Sequence, residues 1–198
     1  WRESVEWPPP CASPLPFYLS EQGRLTRDTP SESESETRFR ADPEDPAPSS
    51  TGICYTVASM PDGSSRRIST NGAWDQTEGP HLYAAEEPSL PLASRQDTLV
   101  FQTGPLTEDL EIAGHPILEL WISSDAPDAD FVAKLIDVYP PGEDHPGGLA
   151  LGVSGGVQRA KFREGFDAPK PLETGEHYLV RIELRPVANL FQMGHRLR

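Results

Sequence analysis

Basic residues are scarce in this chain: 17 Lys and Arg stand against 31 Asp and Glu, for a formal net charge of −14. Nucleic acid and anionic membrane both require a basic surface, so the balance argues against either partner and for a solvated acidic exterior. Cysteine is scarcer still. Cys11 and Cys54 have no repeated spacing, which supports neither a disulfide framework nor a four-ligand metal site and leaves the redox compartment open. No apolar run is long enough for a membrane span, and no secretory signal pattern opens the chain. The expectation is a soluble protein, for which a cytoplasmic setting is compatible. Convincing amphipathic helical periodicity is missing as well, which turns attention to strands.

Proline, by contrast, is plentiful: 22 residues, about twice ordinary usage. The prolines crowd into 1–50 and 80–91, as expected of an extended wrapping arm. Residues 13–19 should end in a short strand, the Ser/Glu alternation at 31–36 reads as a solvated link, and 42–48, DPEDPAP, reads as a rigid polar turn. From residue 98 the texture changes to strand-like runs at 98–102, 117–122, 131–139, 157–163 and 178–184, punctuated by Gly and Pro. That spacing predicts an all-β sandwich. Within it Leu118, Leu120 and Ile122 share one face against Ile117, Glu119 and Trp121. Tyr178, Val180, Ile182 and Leu184 likewise alternate against Leu179, Arg181 and Glu183. Leu120 and Ile136 are expected to face the interior. The pair of runs around 114–140 should have one dry face and one lying against something else.

Three constellations could carry chemistry. Gly152-Val-Ser-Gly-Gly156 fits the G-x-S-x-G nucleophile elbow, with Asp167 and then His177 or His195 following in hydrolase order. An elbow needs a strand before the serine and a helix after it, whereas 157–163 alternates like a strand, so a Gly-rich hairpin turn is the better account of Ser154. Asp125, Asp128 and Asp130 could crowd around a hard cation, but they lack the Gly and distal Glu of a calcium loop and suit ordinary turn chemistry. His81, His115, His145, His177 and His195 show no close ligand spacing and read as surface or hydrogen-bonded histidines. No metal and no cofactor is expected.

Longer stretches carry a resemblance. Residues 99–114, LVFQTGPLTEDLEIAG, residues 120–140, LWISSDAPDADFVAKLIDVYP, and residues 191–197, FQMGHRL, closely resemble the C-terminal domain of the X-Pro dipeptidyl-peptidase-like, or CocE/NonD, serine hydrolases. Residues 7–10, 16–19, 42–48 and the Asp75-Gln76 pair resemble the arm leading into that domain, so the similarity covers nearly the whole chain. The resemblance implies a jelly-roll β-sandwich, galactose-binding-like, over residues 95–198. It implies a Pro-rich arm and linker over 1–94, packed on an α/β-hydrolase domain of the same parent protein. The triad lies in that other domain, so no residue here is assigned to catalysis and the chain alone should be inactive. The substrate implied is a small ester or amide, and Ile53, Cys54 and Tyr55 are carried over as part of the acyl-pocket wall. The stretch 77–94 holds a longer Pro-rich insert than the family pattern. Ser154-Gly155-Gly156 stands where relatives place Asp-Gly, and the sandwich is expected to be incomplete at its C-terminal end. The alternative is a free-standing jelly-roll module binding a ligand such as carbohydrate. An upstream G-x-S-x-G in strand–turn–helix context would separate the two.

Overall fold

The computed structural model describes residues 3–30, 36–48, 55–59, 62–69, 74–78 and 90–198. Among them the protein is all-β: twelve strands, three short 3-10 turns and no α-helix. In chain order the strands are β1 (Tyr18–Ser20), β2 (Arg24–Thr26), β3 (Tyr55–Ser59), β4 (Ser65–Ser69), β5 (Trp74–Asp75), β6 (Leu110–Gly114), β7 (Ile117–Ile122), β8 (Asp130–Tyr139), β9 (Leu149–Arg159), β10 (Tyr178–Glu183), β11 (Val187–Phe191) and β12 (Arg196–Leu197). They form open sheets: one of four strands, in the order β12-β8-β9-β5, and the pairs β1-β2, β3-β4, β10-β7 and β11-β6. The chain divides into two compact units.

The first unit comprises Trp1–Ala12, Glu111–Leu135 and Ser154–Asn189. Its core follows from strand alternation. β7 and β10 pair antiparallel with Leu120 opposite Val180 and Leu118 opposite Ile182, so apolar side chains fall on a shared face. Val180, Ile182, Leu184 and Ala133 are buried together, and Leu118, Leu120, Ile122, Phe131 and Leu135 pack against them. Area removed from water is the dominant stabilising term for such a cluster.

The second unit comprises Ser13–Leu110, Ile136–Val153 and Leu190–Arg198. The short strand expected at the end of 13–19 is β1, which turns through Glu21–Gly23 into β2. Gly23 is required there: its φ is +69°, and a Cβ would lie 2.5 Å from the Val100 carbonyl oxygen. Ile136 and Phe191 are buried, the latter completely. Ile136 exchanges both backbone hydrogen bonds with Arg198, at 2.8 and 3.0 Å, beyond the two-residue strand β12.

Two expected strands are corrected. Residues 98–102 form no strand beyond a single bridge of Gln102 to Arg24; the Gln102 N–H and C=O bond Gly23 and Leu25, and Thr98 closes a turn onto Arg95. The run placed at 157–163 belongs to β9, which starts eight residues earlier at Leu149 and ends at Arg159, after which Ala160–Phe162 turns. The anticipated hairpin turn at 152–156 is therefore strand interior. Gly156 there serves close backbone approach, a role that leaves no turn signal.

Candidate functional site

The serine of the Gly-x-Ser-x-Gly stretch lies inside β9, and Ser154 is buried. Its hydroxyl donates to the Arg185 carbonyl at 2.7 Å, and the Arg185 N–H donates to the Gly155 carbonyl at 3.2 Å. A nucleophile elbow holds its hydroxyl exposed on a strand-to-helix turn; here there is neither turn nor helix, and the proton is committed to a carbonyl. Two residue types of a triad do meet elsewhere. His195 Nδ1 is 2.8 Å from Asp137 Oδ1, both are buried, and the imidazole lies 4.2 Å from the Tyr139 ring. Burial, with the Asp137 charge behind it, pushes the Tyr139 hydroxyl above its ordinary pKa. His195 and Asp137 fix the segment that leads into β12, where Leu106 N–H donates to the His195 carbonyl at 2.7 Å. His115, His145 and His177 are exposed, and His81 lies outside the described residues.

Two of the aspartates of 125–130, Asp128 and Asp130, are likewise engaged. Asp128 accepts Arg159 Nε at 2.8 Å and the Lys161 backbone N–H at 3.2 Å, and lies 3.1 Å from Lys161 Nζ. Partial burial pushes this carboxyl up, but the bonds from Lys161 and Arg159 outweigh it and hold it below the usual carboxylate range. Asp130 lies 3.6 Å from the same guanidinium, so two of the three carboxylates face protein cations. Among the described residues no group of three or more His, Cys, Asp or Glu is arranged to hold a metal ion.

Of the pocket-wall residues, Ile53 and Cys54 lie outside the described residues. Tyr55 opens β3, opposite Ser69 of β4. The β3–β4 hairpin closes at Asp62-Gly63-Ser64, where Asp62 Oδ1 accepts the Ser64 N–H at 2.8 Å and its hydroxyl at 2.6 Å, and Gly63 takes φ +80°. These bonds hold the Asp62 carboxyl below its ordinary range.

A junction that sequence reading missed lies at Arg95. Its guanidinium binds Asp97 through Nε and one terminal nitrogen, at 2.8 and 2.9 Å, and donates to the Asp45 carbonyl at 2.8 Å. Asp45 Oδ1 lies 3.2 Å away and the buried Glu78 carboxylate 3.7 Å away. One planar cation thus ties the 42–48 turn, Glu78 and the 95–97 turn together. The Arg95 bonds raise its own pKa and hold the Asp97 carboxyl low. A carboxyl depressed in the folded state adds stability that is complete above its unfolded value, about pH 4, and is lost as pH falls through the folded value. The wild-type melting temperature should therefore fall more steeply below about pH 4 than that of Asp97→Asn, which has no such proton to take up. Equal acid limbs in thermal melts would refute the coupling.

A model of the X-Pro dipeptidyl-peptidase C-terminal non-catalytic domain matches residues 1–198. The chain belongs to that family, the non-catalytic C-terminal domain of CocE/NonD-like esterase-family proteins. It is similar to cocaine esterase of Rhodococcus sp. (strain MB1 Bresler), 32% identical over 205 residues that cover all of this chain and 31% of that protein. Two solved structures are similar over the whole chain and 30% of their own length. They are an aminopeptidase from a marine sediment Thaumarchaeota archaeon, at TM-score 0.74 and 31% identity, and an α-amino acid ester hydrolase, at 0.71 and 30%. The chain thus spans about a third of the length of the relatives it matches. Among the described residues no helix is long and apolar enough to cross a membrane.

Proposed function

We propose that this chain is the accessory domain of a CocE/NonD-type serine hydrolase that acts on small esters or amides, contributing substrate-pocket shape and no catalytic group. On this reading residues 95–198 form a jelly-roll sandwich, and residues 1–94 run as an arm along an α/β-hydrolase domain of the same protein. Ile53, Cys54 and Tyr55 then contribute to the wall of the acyl pocket. The observation that carries the reading is the match of a non-catalytic domain family to all 198 residues. The Ser154 hydroxyl bonded to the Arg185 carbonyl supports it, because the one formal nucleophile motif is spent on structure.

The chain by itself should show no turnover of activated esters or of an aminoacyl-proline amide above the rate in buffer. Ser154→Ala should cost about 1 kcal/mol in denaturant melts, the net contribution of one part-buried hydrogen bond, and change no activity. Turnover that appears in the wild type and vanishes in a Ser154→Ala variant still folded by circular dichroism would overturn the assignment.

A further inference from the structure

Exposed apolar side chains are scattered over most proteins, but a large aromatic on the outer face of a regular sheet is not an ordinary solvent residue. In the first unit, Trp121 on β7 is 73% exposed and stands directly opposite Leu179 on β10, 44% exposed; Ile117, on the same face of β7, is 48% exposed. The reverse face of the same two strands holds Val180 and Ile182, which are buried. The charged residues between the apolar positions answer one another. Arg181 opposes Glu119, with Nε 3.8 Å from the carboxylate, and binds Glu183 through its terminal nitrogen. Each charge on this face thus has a partner of opposite sign within 4 Å, the two carboxylates sharing one guanidinium, which lowers the cost of covering it.

The N-terminal segment points to the occupant. Trp1–Ala12 belongs to this same unit, and a Cβ on Gly114, three residues before β7 begins, would touch the Pro8 ring at 3.7 Å. In a C-terminal domain the preceding domain is joined through that segment, which itself exposes Val5 and half of Trp7. We infer that the outer face of β7 and β10, centred on Trp121 and Leu179, is the surface on which the α/β-hydrolase domain docks. This rests on the accessory-domain reading proposed above. Trp is among the residues most often dominant in interfaces, and an exposed Leu beside it completes an apolar anchor. Val132 and Val157, 61% and 62% exposed, are smaller and serve as the control surface.

The test grafts this chain in place of the matching third of cocaine esterase, to which it aligns over its full length. The graft should retain esterase activity and melt as one unit. Trp121→Ser with Leu179→Ser should lower that activity at least about tenfold and separate the melting transitions, since hot-spot truncations commonly reach that factor. The same pair should leave the melt of the 198-residue chain unchanged, and Val132→Ser with Val157→Ser should leave the graft active. An unmodified graft with neither activity nor a joint transition overturns the accessory-domain reading and this inference with it. An active graft indifferent to the Trp121/Leu179 pair, or equally sensitive to the valine pair, overturns the docking face alone. A dimer of the 198-residue chain that dissociates on the Trp121/Leu179 substitutions, seen by sedimentation, overturns it in favour of self-association.

Discussion

Gly156→Ala should cost about 3 kcal/mol or more and leave little folded protein, although it adds one methyl group to the middle of a strand. A Cβ at this position would overlap the Glu183 carbonyl oxygen and come within 3.0 Å of the Glu183 carbonyl carbon and 3.1 Å of Leu184 Cα. These are backbone atoms, so no rotamer change relieves the clash; β9 must part from the end of β10. Leu184 is a buried core residue and its N–H is bonded to Pro116 at 2.9 Å, so the displacement would be felt in the packing of the whole first unit. Gly104→Ala is the natural control. A Cβ there meets nothing within 4 Å, and the change should stay within about 0.5 kcal/mol. Urea melts of the two variants decide the matter. A tolerated Gly156→Ala would mean that β9 does not approach β10 as described.

Arg95→Ala should cost about 2–3 kcal/mol, because it takes two charge-assisted hydrogen bonds from the Asp97 carboxylate, which water hardly reaches, and removes the cation nearest Asp45 and close to Glu78. Glu78 and Asp97 have side chains only 2% and 13% exposed, whereas Asp45 is open to solvent and loses little. Arg95→Lys keeps the charge but not the fork that spans Asp97 and the Asp45 carbonyl, so it should recover only part of the loss. Hydrogen exchange adds a positional readout. Protection at Asp45 N–H, which donates to the Asp42 carbonyl at 3.2 Å, should fall in both variants if Arg95 holds the 42–48 turn in place. A stability loss below about 1 kcal/mol in Arg95→Ala, with that protection intact, would reduce the junction to a surface ion pair.

These two sites mark where sequence reading stops. The alternation at 117–122 and 178–184 was legible because a strand buried on one face repeats every two residues, and both strands appear with the expected inward side chains. The family was legible too, since its stretches are long and nearly contiguous. Gly152–Gly156 was misread as a turn: glycine in isolation reports conformational freedom, and here its reason is the proximity of Glu183 and Leu184. The buried role of Ser154 depends on a carbonyl 31 residues away, the Arg95 junction on Asp45 at a separation of 50, and the His195–Asp137 couple on a separation of 58. Composition and local periodicity determined by themselves that this is an acidic, strand-built chain, and its motifs determined the family. Only tertiary structure decided which polar groups are buried and what each one binds. Burial turns a solvated side chain into one that must find a partner, and that partner is brought near by the fold and not by the neighbouring residues.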